Sequence, residues 1–320
     1  MPSSTGSHPA SPSTADQAST SASGMALVVG CYVLWGFFPL YFRLLDAAGS
    51  VEIIGHRIIW AMVTCLLLIA VRRRWSAIRR LLTTPRLVLS ASVSGVLVSV
   101  NWLVYVYGVN TGRTADAALG YFINPLVTVA LAALVLGERL RPAHRASLAL
   151  AAAGVGVLVV MQGSLPWISL ALAFSFGLYG LVKKRVARQV DALTGLCAET
   201  LIVSPVALAY LGWLAAHGQA AVQGPQGSAW LGALLVLAGP VTAAPLLLFA
   251  AGTRRVPLSV VGLSQYFAPI IQFLLAWLVF HEEIPPARWA AMVLVWMAVA
   301  VFVADALRQL ARTPGRSQRP

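Results

Sequence analysis

GYFINPLVTVALAALVLGERLRP, Gly120 to Pro142, places an apolar run long enough to cross lipid behind an Asn-Pro pair and closes it with three charges. As a helix, about 20 such residues span a hydrocarbon core of about 30 Å. Proline removes a backbone donor and strains the turn before it, so a span beginning Asn124-Pro125 is expected to bend or break toward the midplane. The rest of the chain decides what that interruption is for.

Of the 320 residues, 59% are hydrophobic and only 10% charged. That balance excludes an ordinary soluble domain. The apolar runs are too long and too uniform for β-barrel strands, which alternate over about 10 residues. Between polar punctuation lie ten spans, at about 25–45, 53–71, 87–108, 115–137, 144–162, 167–186, 192–214, 229–251, 258–280 and 287–306. The reading is an all-α integral membrane protein. The net charge of +13 does not point to nucleic acid, because the basic residues sit at the ends of apolar runs. With the N-terminus inside, 19 of the 23 Lys and Arg fall on the inner side, leaving only Arg43, Arg57, Arg113 and Arg288 near outer ends. Both termini are therefore expected in the cytoplasm.

Residues 1–24, rich in Ser and without Lys or Arg, are expected to be a disordered tail and not a signal peptide. Residues 307–320 read as a basic cytoplasmic tail. Cys31, Cys65 and Cys197 all lie within apolar runs, without metal or disulfide spacing.

Between the tails the chain repeats. Pro125 through Pro142 aligns without gaps to Pro269 through Pro286, and Glu138 and Glu282 each fall 13 residues after the first proline. Trp35-Gly36 corresponds likewise to Phe176-Gly177, and Arg43 to Lys184. Two five-span units, 25–163 and 164–306, result. Because five is odd, the second enters the membrane from the opposite side, an arrangement typical of transporters.

Paired helix interruptions in two inverted halves point to a binding site, so Pro125 and Pro269 are the expected helix breaks. Polar groups at similar depth make Tyr121, Asn124, Gln265 and Tyr266 candidate substrate contacts, with interhelical hydrogen bonding the open alternative. Trp35 beside Gly36 forms either a stacking wall or a close helix contact. Asn101, with Trp102 and Tyr105, and the eighth-span group Pro240, Thr242 and Pro245 are secondary candidates. Ionisable residues inside spans are costly and usually functional. Glu199 is a candidate for a coupling proton or a cationic substrate group, His56 for titration near neutrality and Arg57 for an anion, against the alternative of structural ion pairs. Glu138 and Arg139 suit a helix terminus with a gate or hinge. No phosphate-binding loop, His-Glu-x-x-His helix or Gly-x-Ser-x-Gly elbow is present, so no enzyme, cofactor or metal site is expected.

Several stretches carry a family likeness. LGYFINPL (119–126) with LGER (136–139), HRIIW (56–60), NWL (101–103), FSF (174–176) followed by YGLV (179–182), and Gln265-Tyr266 before Pro269 resemble the RarD type of EamA transporters, in the drug/metabolite transporter superfamily. The resemblance covers about 25 to 306. It implies two inverted EamA repeats around a central cavity and a carrier in the bacterial cytoplasmic membrane, with many relatives exporting metabolites or small drugs. His281-Glu282 departs from the repeat's usual Gly-Glu at the ninth span's end. The expected function is therefore a secondary transporter, an exporter of small metabolites or drugs that works by alternating access around a midplane cavity between the two repeats, with two rivals left open: a membrane-embedded enzyme acting on lipid or isoprenoid, and a channel. Its partners are a small-molecule substrate and membrane lipid, with a homodimer left open.

Overall fold

The computed structural model describes residues 22–136, 142–186, 189–253, 255–256, 261 and 264–312. Twelve α-helices account for most of them: α1 (Ala22–Gly36), α2 (Phe38–Arg43), α3 (Ser50–Val71), α4 (Trp75–Thr83), α5 (Pro85–Asn110), α6 (Thr114–Leu136), α7 (Pro142–Gln162), α8 (Trp167–Val186), α9 (Ala192–Ala216), α10 (Ala229–Gly252), α11 (Phe267–Leu274) and α12 (Pro286–Arg312). A π turn, Leu275–Val279, prolongs α11. Among the described residues, eight helical segments are long and apolar enough to cross a membrane, and α8 and α11 with its π turn supply two shorter apolar ones. The outward faces are apolar: Val71, Leu134 and Val160 are each more than 80% exposed. Arg57, Asn101, Glu199 and Gln272 are buried within. This polar-in, apolar-out distribution suits lipid as solvent.

The local chemistry explains several helix ends. Pro85 opens α5, where its missing N–H costs nothing. The Asp191 carboxylate caps α9 by accepting from the Thr194 N–H at 3.2 Å and its hydroxyl at 2.7 Å. Ser228 caps α10 through the Leu231 N–H. At the α5–α6 junction Gly112 takes φ +69°, the left-handed region that suits glycine.

The packing repeats between halves. α6 packs on α8 as α11 packs on α1, α5 on α8 as α10 on α1, and α3 on α10 as α9 on α5. The pairs α3–α9, α6–α11 and α7–α12 map onto themselves when the halves are exchanged. With five spans per half, that exchange is a pseudo-two-fold rotation about an axis across the helices, so the ten-helix fold is an inverted repeat.

Three expectations need correction. Pro125 does not break its span: α6 runs unbroken from Thr114 to Leu136. α6 stays packed on α8 along this stretch, and just past the proline the Thr128 hydroxyl donates to the Asn124 carbonyl at 2.9 Å. At Pro269, by contrast, the break is real, since a turn at Gln265–Tyr266 precedes α11 and the proline occupies the first turn of a new helix. The first span divides into α1 and α2 just before Pro39, and the basic stretch after α3 is not a loop but α4, with Ile78 and Leu81 buried and Arg79 and Arg80 exposed. Glu138 and Arg139 lie outside the described residues.

Candidate functional site

At the centre of the bundle, α3 carries Arg57, whose side chain is only 4% exposed. Its Nε donates to the Thr242 hydroxyl of α10 at 2.9 Å. The Thr242 hydroxyl in turn donates to the Ala238 carbonyl at 2.8 Å, so its orientation is set. Aromatic rings surround the guanidinium: Trp102 of α5 lies 4.1 Å from it, Phe42 5.2 Å and Phe38 5.7 Å. Rings at these distances attract a cation through their quadrupoles. Arg57 Nη1 and the Tyr105 hydroxyl are buried with no hydrogen-bond partner.

Next to this cage, Asn101 links three helices. Its Nδ2 donates to the Leu172 carbonyl at 3.1 Å and to the Ser175 hydroxyl at 3.0 Å, while its Oδ1 accepts from the Tyr121 hydroxyl at 3.1 Å. Tyr121 also meets Tyr105 and Phe176 ring to ring. Asn124 is buried on α6 with its Oδ1 unpartnered.

The remaining candidates are spread more widely. Trp35 packs on Tyr32 and Phe249, and its carbonyl accepts from Gln272 Nε2 at 3.0 Å. Gly36 is there for contact: a Cβ would sit 2.8 Å from Ile271. Tyr266 stacks on Phe122 in a separate cluster formed by α6, α11 and α12. Gln265 is half-buried in the turn before α11.

Glu199, 1% exposed, has the opposite character to Arg57. Lys183 Nζ lies 2.7 Å from its Oε1, which also accepts from the Ser94 hydroxyl at 2.8 Å, and the Tyr179 hydroxyl reaches Oε2 at 3.3 Å. Its carboxylate is fully engaged. His56 is half-buried, one position from Arg57 and so about 100° round the helix from it.

The two ends of the bundle differ. At one, Asp116 holds Arg113 at 2.8 Å and Arg288 at 3.1 Å, and Glu282 accepts from the Thr114 and Ala115 N–H groups at 2.8 and 3.0 Å, with Arg43 3.8 Å away. These contacts tie α6 to the segments before and within α12. At the other end a cavity of about 270 Å³ opens between α3, α9 and α10, with Arg72, Arg74, Arg255 and Asp191 around it and Cys65 and Ala243 deeper in the bundle.

Residues 22–160 and 165–304 each match the EamA-like transporter family. The chain belongs to the EamA-like transporter family. Its EamA relatives include Protein RarD of Streptomyces exfoliatus, 44% identical over 92% of both chains, and an uncharacterized transporter of Vibrio cholerae, 42% identical over 89% of this chain and 93% of that one. A solved structure described only as the crystal structure of a protein shares the fold, with TM-score 0.56 and 21% identity, covering 89% of this chain and 98% of that one. The protein is thus a multi-pass membrane transporter of the EamA family.

The EamA fold unites Arg57 with Asn101 and Tyr121 in one packed region, joins Trp35 to its margin and leaves Tyr266 in another. Sequence reasoning missed Lys183, counted only among the inner-side basic residues, and Ser94, Ser175 and Asp116. Lys183 follows Tyr179 by four positions, one turn along the same face, and that spacing is the signal that pairs both with Glu199. Among the described residues no group of His, Cys, Asp and Glu is placed to hold a metal ion.

Proposed function

We propose that this protein is a secondary transporter that exports small metabolites or drugs across the bacterial cytoplasmic membrane by alternating access. The observation that carries this reading is the exchange symmetry of the packing. Two inverted halves have two nearly equivalent arrangements, one open to each side, and polar groups gather where the halves meet. The Lys and Arg distribution supports cytoplasmic termini. On that orientation the ionic contacts around Asp116 and Glu282 close the outer end, and the cavity beside Arg72 and Arg255 opens inward.

Substrate sites are assigned to the Arg57, Asn101 and Tyr121 region, with Asn124 and Trp35 at its edge. Glu199 with Lys183 is the coupling candidate. A proton delivered to Glu199 would release Lys183, which gives a chemical means of linking a gradient to helix movement. Purified protein in proteoliposomes, loaded with amino acids, nucleosides, amphenicols or other small metabolites, tests the proposal. A carrier shows saturable flux accelerated by substrate on the far side. Flux that neither saturates nor shows counterflow defeats alternating access and favours a channel. Removing the Glu199 carboxyl should abolish gradient-driven transport while sparing exchange, and equal loss of both would take coupling away from Glu199.

A further inference from the structure

Among the basic residues whose side chains are described, five are not exposed, Arg43, Arg57, Arg113, Lys183 and Arg288, and all but one of them have a carboxylate within 4 Å. Arg43 has Glu282, Arg113 and Arg288 share Asp116, and Lys183 has Glu199. Arg57, more deeply buried than any of these, has none. A buried guanidinium without a counter-ion is costly, and its aromatic cage offsets only part of that cost.

The geometry shows what is missing. Thr242 takes Nε, and the rings of Trp102, Phe42 and Phe38 surround the charge, while Nη1 and the Tyr105 hydroxyl have no partner. Both groups can donate, so the absent partner is an acceptor. From Arg57 and Tyr105 we infer that the substrate of this site carries a carboxylate, held by the Arg57 guanidinium. A guanidinium fork matches that group's two oxygens in plane. Lys183 is already neutralised by Glu199, so one unpaired positive charge remains and a singly charged anion balances it. A phosphate dianion would leave a surplus negative charge in the same apolar surroundings. The body of the molecule is apolar, to suit the rings that line the site.

Access agrees with this charge. The cavity carries Arg72, Arg74 and Arg255 against the single acid Asp191, which raises the local concentration of anions. It reaches α10 at Ala243, next to Thr242, and α3 at Cys65, eight residues or about 12 Å along the helix from Arg57.

The inference rests on the carrier reading only in calling the bound molecule a substrate. It is tested by binding, on the full chain in detergent. Thermal unfolding is followed with the sodium salts of acetate, propionate, benzoate and phenylacetate, each beside its amide, at constant ionic strength. A molecule that binds only the folded state raises the unfolding temperature. Carboxylates are expected to raise it and amides of the same shape not to. Arg57→Gln should weaken carboxylate binding roughly thirtyfold or more, and Arg57→Lys, which keeps the charge without the fork, by less. Tyr105→Phe removes a single hydroxyl and should weaken it severalfold, which keeps the test open if Arg57→Gln does not fold. Equal shifts from acids and amides, shifts that survive in Arg57→Gln, or no shift from any carboxylate in the wild type would each overturn the inference. Carboxylate binding without transport in proteoliposomes would instead defeat the carrier reading and leave this site standing.

Discussion

Breaking the Glu199–Lys183 pair from either side should give unequal results. Glu199 is 1% exposed and Lys183 26%. Lys183→Met leaves a carboxylate sealed in the bundle with only the Ser94 and Tyr179 hydroxyls to hold it. Removing one member of a buried pair costs about 3–5 kcal/mol, because the other charge stays behind. Glu199→Gln leaves the charge on a longer and more accessible side chain, which can extend toward the polar end of its helix. Only charge-assisted hydrogen bonds are then lost, about 1–2 kcal/mol after allowing for Lys183's exposure. The double variant has no stranded charge and should lie near Glu199→Gln, well above Lys183→Met. Unfolding of all four proteins in mixed micelles, combined as a double-mutant cycle, measures this ordering. If Lys183→Met proves no more harmful than Glu199→Gln, or the two effects simply add, then the carboxylate is not held in the way described.

Three other outcomes follow from single contacts. A Cβ on Gly120 would lie 2.7 Å from the Ser169 carbonyl, so Gly120→Ala should force α6 away from α8 and lower the unfolding midpoint, whereas an unchanged midpoint would show that the helices are not so close. Glu282→Ala removes the acceptor for the Thr114 and Ala115 N–H groups, worth about 1 kcal/mol. It should make a cysteine placed at the buried Thr114 more reactive to a polar thiol reagent, and equal labelling rates would refute a closing role. At the start of α9, burial opposes ionisation of Asp191, but the Thr194 hydroxyl and N–H and the Arg74 charge outweigh it and hold the carboxyl below its usual value of 3.8. Its contribution is therefore complete above that value and lost as pH falls through the lowered one. Asp191→Ala should cost about 1 kcal/mol at neutral pH and little in strong acid, as parallel unfolding curves at the two pH values would show.

Ten apolar spans and a duplicated unit are legible in the sequence because lipid imposes a one-dimensional rule: a segment's length and hydropathy decide whether it crosses. The register of Pro125 and Pro269 reveals the repeat for the same reason, since matching depth is a matter of counting. Depth does not reveal what a residue faces. His56 and Arg57 are neighbours in sequence, yet it is Arg57 that the packing of α3 against α10 places on Thr242, 185 positions away. Lys183 reads as one more basic residue at the inner end of its span until α8 and α9, both packed on α5, bring its ammonium to Glu199. Proline is also read differently in the two halves, because tertiary packing carries α6 through Pro125 while a turn interrupts the chain before Pro269. The sequence by itself determined which segments enter the membrane and at what depth each polar group lies. Only the tertiary structure decided the rotation of each helix, and with it which buried charge found a partner and which did not, because that rotation is set by side-chain contacts between segments far apart in the chain.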